Sequence, residues 1–297
     1  MIENDVNIKL KLDNLIIEKS NGDVWIPLKD ISIIVIDNLK VTLTGRILCS
    51  LAEYNVAVVI CNQKHLPIGM YSSYDNHSRI SKTIGYQVNK KDEYYDKLWE
   101  GIVKIKIENQ GKVLIKLNKS RDIVNNLQKF ASDIITGDRT NREAHAAKIY
   151  FNELMGVSFS RGNEDILLNS GLDYGYSIIR SYIAKTCISY GLNTQIGIHH
   201  HNEYNRFNLV DDLIEPFRPV VDYFSYTILE GEEYFKPEHR RKLVNILNHR
   251  IKYQDNTMYL SNVINSYVSQ YAAKLVDDTK KIEFPDVDEY LGEEDAV

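Results

Sequence analysis

The hydrophobic pattern of this 297-residue chain changes near residue 75, and that change restricts its fold more than any other feature. Before it, short segments rich in Val and Ile are separated by Asn, Asp and Gly, which predicts strands joined by turns. After it, apolar residues recur with helical spacing over longer stretches. The sequence therefore predicts an α+β protein, with a small N-terminal β-rich domain followed by a larger all-helical domain.

The first part contains five predicted strands and one predicted helix, which spans residues 44–54. The predicted strands are KLKLDNLIIE, GDVWIPLKD, ISIIVID, LKVTLT and YNVAVVICN. The segment LPIG at 66–69 interrupts the strand pattern. We assign the β-rich domain to residues 1–75 and a linker to residues 76–92.

The second part contains seven predicted helices, several of which have good start signals. They span residues 92–109, 120–135, 141–155, 166–190, 208–229, 237–251 and 260–276. We assign the helical domain to residues 93–276 and an acidic, solvated tail to residues 277–297.

The net charge of -5 is unevenly distributed. The tail holds nine acidic and two basic residues, so the remainder of the chain carries +2. Residues 79–129 hold twelve basic and six acidic residues. Such lysine runs fit a solvated helix face as well as a binding surface, so the charge does not exclude a polyanionic partner.

Several classes of protein are disfavoured by composition. No run approaches the roughly 18 apolar residues of a membrane helix, and the first residues lack a secretory signal pattern. The three cysteines, Cys49, Cys61 and Cys187, are far apart and form no CxxC pair, which argues against a disulfide framework and a zinc ribbon. We expect a reduced, cytoplasmic protein without a membrane partner.

A carboxylate lies on the side of the predicted helix at 141–155 that should be buried. This side carries Glu143, Ala147, Tyr150 and Leu154. Burying an ionised carboxylate is costly unless a cation or hydrogen-bond donors compensate it. Alternatively, Glu143 is a first-turn residue that the helix N-terminus stabilises and that is exposed to water. This segment taken alone favours that alternative.

A second group of charged residues lies in an apolar segment and comprises Asp211, Asp212, Glu215 and Arg218. Glu215 can share a helix face with either aspartate, and the spacing does not choose between them. Two carboxylates so close repel each other unless a positive group lies between them. That group is either Arg218, in a plain salt-bridge network, or a divalent cation.

Three consecutive histidines, His199, His200 and His201, precede this segment. A zinc site made from all three is geometrically poor, because adjacent side chains diverge. One histidine and two carboxylates from separate segments instead form a mixed nitrogen and oxygen site for Mg²⁺ or Mn²⁺, with positions left for water and phosphate oxygens.

Nearly the whole chain resembles the CRISPR-associated integrases, the metal-dependent DNA endonucleases of spacer acquisition, and most closely their type II form. The resemblance rests on VVICNQKHLPIGMY, KIKIENQ, REAHAAKIYF, LNSGLDYGYSIIRSYIAKTCISYGLNTQIGIHH and FNLVDDLIEPFRPVVD. The order and spacing of these segments are specific, although each alone would be weak.

The resemblance implies that Glu143, His200 and Glu215 bind Mg²⁺ or Mn²⁺, with Asp212 as an outer residue that orients a ligand or a metal-bound water. It places catalysis in the helical domain. It implies that the 3′-hydroxyl of a short incoming DNA attacks a phosphodiester at a CRISPR repeat boundary. Possible DNA contacts are Tyr176, Arg180, Arg206 and Arg218, although core packing is the more ordinary role for the tyrosine.

The implied partners are double-stranded DNA, a second copy of the chain and a small second adaptation protein, which together form a heterohexamer. A type II accessory protein and an RNA-guided nuclease are further implied partners. Two other classes of function compete with the integrase: a non-catalytic DNA-binding scaffold with its carboxylates in salt bridges, and a zinc hydrolase that uses the histidine triplet. The metal hypothesis requires the three ligands to converge with no Lys or Arg group between them.

Overall fold

The computed structural model describes residues 1–19, 22–73, 77–163, 166–253 and 256–286. The chain divides into two compact units, Met1–Ser78 and Arg79–Val297. The part of the predicted acidic tail at 287–297 lies outside the described residues.

The first unit contains two three-stranded sheets and one helix. Strands β1 (Asn7–Lys11), β2 (Asn14–Glu18) and β3 (Val24–Pro27) pair antiparallel in that order. Strand β4 (Ile33–Ile36) pairs in parallel with β5 (Ala57–Cys61), which pairs antiparallel with β6 (Pro67–Tyr71). Helix α1 (Gly45–Glu53) connects the two parallel strands, as a parallel pair requires a crossover. Its Leu51 is fully buried in a hydrophobic cluster that also contains Leu28 and Val58.

Three strand predictions in this unit differ from the structure. The segment KLKLDNLIIE forms two strands rather than one, because Leu12 and Asp13 adopt left-handed backbone angles and make a turn. Residues 39–44 form no strand, and the Thr44 hydroxyl instead accepts a hydrogen bond from the Ile47 backbone N–H and caps α1. Pro67 does not end the sheet but begins β6, where it lies opposite Cys61 at a register shift.

The second unit is mainly helical, which confirms the predicted fold class. Its helices are α2 (Ile80–Asn89), α3 (Asp92–Lys116), α4 (Arg121–Ser132), α5 (Arg142–Met155), α6 (Leu167–Ser189), α7 (Asn208–Leu213), α8 (Arg218–Leu229), α9 (Pro237–Asn245) and α10 (Leu260–Val276). Strands β7 (Arg250–Tyr253) and β8 (Asn256–Tyr259) form an antiparallel hairpin that the sequence analysis did not predict. No helix in the described part of the chain is both long and apolar enough to cross a membrane.

Several helix boundaries also differ. The helix predicted at 92–109 continues to Lys116 as α3. Helix α2 lies inside the segment that we assigned to a linker. The predicted helix at 208–229 is two helices separated by a single 3-10 turn, Glu215–Phe217. Pro216 explains the break, because it lacks a backbone N–H and restricts the residue before it. The predicted helix at 237–251 ends at Asn245, and β7 follows shortly after it.

Candidate active site

Glu143 and Glu215, 72 positions apart in the chain, converge on the side-chain ammonium group of Lys106. The Lys106 Nζ atom lies 2.6 Å from Glu143 Oε1 and 2.5 Å from Glu215 Oε2. The side chains of Lys106 and Glu215 are 10% and 4% exposed, whereas that of Glu143 is 27% exposed. The site is thus a largely buried pair of carboxylates with one cation between them.

Lys106 reaches this position because it belongs to the buried face of α3. The buried residues of this face recur at helical spacing and include Trp99, Ile102, Val103, Lys106, Asn109 and Val113. A lysine in such a stripe has to find negative partners, since an unpaired buried ammonium group is costly. Glu143 and Glu215 provide them.

Glu143 lies in the first turn of α5. The buried carboxylate of Asp138 caps this helix and accepts hydrogen bonds from the backbone N–H groups of Arg142 (2.8 Å) and Glu143 (3.0 Å). The cap satisfies donors that the helix itself leaves unpaired. It also fixes the position from which the Glu143 side chain reaches Lys106. The buried face of this helix contains Ala146 rather than the predicted Ala147.

Glu215 lies at the break between α7 and α8 that Pro216 causes. The Asn109 side chain on α3 donates a 2.9 Å hydrogen bond to the Pro216 carbonyl group, which satisfies a buried acceptor at this break. The 3-10 turn therefore sits directly against the helix that carries Lys106. The break at Pro216 and the packing of this turn against α3 together bring Glu215 to the Lys106 ammonium group.

A second cation contacts the other oxygen of Glu215. Arg218 Nε lies 2.7 Å from Glu215 Oε1. Burial alone would raise the pKa of Glu215, but the charges of Arg218 and Lys106 outweigh burial and lower this pKa to about 2. Glu215 is therefore ionised at neutral pH. This is the salt-bridge network that the sequence analysis weighed against a metal site.

Asp212 organises the loop that carries the histidines. Its fully buried carboxylate accepts hydrogen bonds from the backbone N–H groups of Ile198 (2.5 Å), His199 (3.0 Å) and His200 (3.2 Å). It also lies 2.6 Å from His200 Nδ1. One carboxylate thus fixes both the loop backbone and one imidazole ring, whereas Asp211 instead bonds Arg180 at 2.7 Å.

Gly197 makes the close approach of this loop to Asp212 feasible. A Cβ atom at this position would lie 2.2 Å from the His200 carbonyl oxygen and 2.9 Å from Asp212 Oδ2. Because the nearest atom belongs to the backbone, a larger residue would require the loop to move. This gives a physical reason for glycine three positions before His200.

The neighbouring histidines face different partners. The His199 ring stacks on Trp99, with 4.3 Å between ring centroids and 1° between ring planes. The rings of His199 and His200 are nearly perpendicular, at 86°. This divergence agrees with the argument against a zinc site built from the triplet.

The surroundings of His200 favour its protonated form. The hydrogen bond to Asp212 raises the pKa of His200, burial opposes this shift, and the charges of Asp212, Glu215 and Asp211 add to it. With Nδ1 engaged by Asp212, Nε2 is the nitrogen that remains for a metal ion. Such a carboxylate–histidine pair commonly orients a metal ligand in proteins.

The predicted metal site fits the structure in chemistry but not in arrangement. Two carboxylates converge on one cation position, and an imidazole is held by a third carboxylate, which is a suitable donor set for Mg²⁺ or Mn²⁺. However, no group of three His, Cys, Asp or Glu side chains in the described ranges is placed to hold a metal ion. Lys106 occupies the space between Glu143 and Glu215, so the condition set by the sequence analysis is not met.

Behind the site, a buried carboxylate supports Arg218 through a tyrosine. The hydroxyl group of Tyr176 donates a hydrogen bond to Asp222, which is 1% exposed. The face of the Tyr176 ring lies 4.7 Å from the Arg218 guanidinium carbon, a cation–π contact. Burial raises the pKa of Asp222 to about 6, although contacts with the hydroxyl groups of Tyr176 and Tyr150 oppose that shift.

This shift predicts a pH-dependent stability. The folded protein binds the Asp222 proton more tightly than the unfolded chain, so the stabilisation is complete below the unfolded pKa near 4 and is lost as the pH rises to about 6. Relative to Asp222→Asn, wild type should lose about 3 kcal/mol of unfolding free energy over this range. Urea unfolding of wild type and Asp222→Asn between pH 4 and 7 measures this loss of unfolding free energy. Asp173→Asn, which changes an exposed aspartate on α6, is the control. Parallel curves for wild type and Asp222→Asn would refute the shift.

The four predicted DNA contacts have different environments. Tyr176 is 8% exposed and bonded to Asp222, so its position favours core packing over a DNA contact. Arg218 is paired with Glu215, and Arg180 is paired with Asp211 and stacks on the Phe207 ring. Arg206 has an exposed side chain. Of the four, Arg206 is therefore placed best for a phosphate group.

Three residues at this site were missed by sequence reasoning: Trp99, Lys106 and Asp222. The signal for Lys106 was present, because it occupies an apolar position in the pattern of α3. The sequence instead includes it in the basic stretch at 79–129, which fits a solvated helix face as well as a binding surface. Asp222 similarly lies among the buried residues of α8.

The comparisons with known proteins agree on one family. The family model "CRISPR associated protein Cas1" matches residues 1–245. The chain is 31% identical over 291 residues to the CRISPR-associated endonuclease Cas1 of Neisseria meningitidis serogroup C, covering 97% of this chain and 95% of that protein.

Solved structures show the same fold at lower identity. A casposase bound to integration product superposes with a TM-score of 0.77 at 21% identity, covering 98% of this chain and 93% of that chain. A Cas6-RT-Cas1–Cas2 complex gives a TM-score of 0.68 at 19% identity, covering 92% of this chain and 34% of the longer chain. The family match extends over most of the sequence and includes the carboxylates and histidines described above. The chain belongs to the Cas1 family of CRISPR-associated proteins.

Proposed function

We propose that this protein is a metal-dependent DNA endonuclease and integrase that inserts short DNA segments into a CRISPR array. The observation that carries the proposal is the convergence of Glu143 and Glu215 on a single cation position. Buried ion pairs of this kind are seldom more stable than apolar residues of similar volume, so stability does not explain them. The endonuclease name of the Neisseria relative and the casposase bound to integration product support the same reaction class.

The reaction that we propose is a transesterification. The 3′-hydroxyl oxygen of the incoming DNA forms a bond to phosphorus, and the bond from phosphorus to the displaced 3′-oxygen breaks. One phosphodiester replaces another, so no nucleotide cofactor is consumed. A divalent cation, when bound, would offset the charge that develops on the phosphoryl oxygens and orient the attacking and leaving oxygens.

The chain's own residues hold and orient the reacting groups. Glu143, His200 and Glu215 would bind the cation, and Asp212 keeps the His200 ring in place through Nδ1. Metal binding requires neutral His200, in which Nδ1–H donates to Asp212 and Nε2 is left for the metal. Arg218 balances the charge of Glu215, and Arg206 would contact a DNA phosphate.

The proposed partners are double-stranded DNA, a second copy of the chain and a small second adaptation protein, in a heterohexamer. The Cas6-RT-Cas1–Cas2 complex, in which about a third of one chain has a similar fold, supports the second adaptation protein. We further propose that a type II accessory protein and an RNA-guided nuclease take part. A cytoplasmic location would give access to all of them.

A joining assay tests the function. A labelled short duplex is incubated with a supercoiled plasmid that bears the repeat, with Mg²⁺ or Mn²⁺ and with or without the small partner. We expect the label in the plasmid at repeat boundaries, and EDTA should abolish its transfer. DNA binding that EDTA leaves unchanged, with no nicking or joining in Mn²⁺, would instead establish the non-catalytic scaffold, in which the ion pairs of Glu215 with Lys106 and Arg218 serve only the fold.

A further inference from the structure

We propose that the Lys106 ammonium group is an internal competitor of the divalent cation: it occupies the cation position in the metal-free chain, and the ion binds only by displacing it. This inference rests on the proposed function, since it concerns the same two carboxylates. It reconciles the donor set, which suits Mg²⁺ or Mn²⁺, with the lysine found at its centre.

The Lys106 ammonium group contacts both carboxylates directly and is not a distant counter-ion. Its Nζ lies within hydrogen-bonding distance of both Glu143 Oε1 and Glu215 Oε2. A cation coordinated by both carboxylates would have to occupy the same few ångströms. Two positive groups cannot share this volume, because they repel each other strongly where water is scarce.

Charge keeps Lys106 at the site while no ion is bound. The ammonium group lies between two carboxylates, 2.6 Å from Glu143 Oε1 and 2.5 Å from Glu215 Oε2, and this attraction is strong because the site is largely shielded from water. Glu215 remains paired with Arg218 on its other oxygen, whereas the ion pair that the described residues give Glu143 is the one with Lys106. The lysine thus holds the two carboxylates together.

The side chain of Lys106 is suited to leaving. An ammonium group on a flexible four-carbon stem has three rotatable donors and no fixed fork geometry, unlike a guanidinium group. The partly exposed side of Glu143 gives this cluster a path to solvent. A divalent ion carries one more unit of positive charge than the ammonium group, and this difference favours the exchange. Lys106 opposes the exchange because its covalent tether keeps the ammonium group near the carboxylates.

The consequence is a weakened affinity for the free ion. When the binding-competent state is only a fraction of the population, the apparent affinity falls by that fraction. Removing the competitor should therefore tighten metal binding, even though Lys106 itself does not contact the ion. A lysine that merely stabilises the fold would not have this effect.

Calorimetric titration of Mn²⁺ into the full-length chain tests the inference. Lys106→Met should bind Mn²⁺ at least about tenfold more tightly than wild type. Lys104→Met, two residues away on α3 and exposed, is the matched control and should bind as wild type does. Equal or weaker binding by folded Lys106→Met would overturn the competition. If Lys106→Met does not fold without metal, Lys106→Gln is titrated in its place.

Wild type offers a second readout. A crystal structure with Mn²⁺ should show the Lys106 ammonium group outside hydrogen-bonding distance of Glu215. An ion bound by Glu143 and Glu215 with the ammonium group still on both would overturn the inference. A chain that binds Mn²⁺ as expected but joins no DNA would contradict the proposed function and leave the competition standing, so the two failures are distinguishable.

Discussion

Asp212→Ala should lower the free energy of unfolding by about 3 kcal/mol, because three backbone donors lose the buried carboxylate that they share, at a cost of about 1 kcal/mol each. The N–H groups of Ile198, His199 and His200 all point to this fully buried carboxylate. The same change removes the partner of His200 Nδ1. We therefore expect loss of DNA joining as well as loss of stability.

Chemical denaturation and the joining assay measure the two effects. Asp212→Asn keeps one carbonyl oxygen and should recover part of the stability. Asp211→Ala is the neighbouring control, since Asp211 bonds only side chains, those of Arg180 and Asn205, in the hydrogen bonds found here. Equal stability losses at 211 and 212 would contradict the role of Asp212 as the organiser of this loop.

Glu143→Ala and Glu215→Ala should both abolish joining but differ in stability. We expect at least about a hundredfold loss of joining in each, the size of effect seen when a group that stabilises the transition state is removed. Glu215→Ala leaves Arg218 and Lys106 with one uncompensated buried charge and should cost about 3–5 kcal/mol. Glu143→Ala should cost about 1 kcal/mol or less, because its side chain is partly exposed and Lys106 keeps Glu215.

The two variants should therefore share the loss of joining but differ in the stability of the fold. Thermal unfolding in EDTA, beside the joining assay, separates loss of fold from loss of chemistry. Full joining by folded Glu143→Ala would end the assignment of the site. Unchanged stability of Glu215→Ala would show that Arg218 and Lys106 do not depend on Glu215 to compensate their charges.

The two-part architecture could be predicted because each part has its own hydrophobic period. The predicted bounds of single helices and strands were wrong where one residue overrode the hydrophobic pattern. Pro216 divides a continuous apolar segment into two helices, and Leu12 with Asp13 turns one predicted strand into a hairpin. Such breaks depend on single backbone conformations, which a pattern averaged over several residues does not resolve.

At the site, the sequence indicated the carboxylates and the histidine but not their cation. Glu143 and Glu215 stood out as acids in apolar surroundings, and the resemblance selected them. Lys106 did not stand out, because lysines on helices are usually solvated and its partners lie 37 and 109 positions away. Only the packing of α3 against α5 and the turn at Glu215 reveals that these charges meet.

The central claim is that Glu143 and Glu215 hold one divalent cation on which joining depends. Electron paramagnetic resonance of Mn²⁺ with full-length wild type and Glu143→Ala tests it most directly, since Glu143→Ala should remain folded. We expect one bound Mn²⁺ per wild-type chain and none in the variant at the same free-ion concentration. Equal Mn²⁺ binding by both proteins would contradict it.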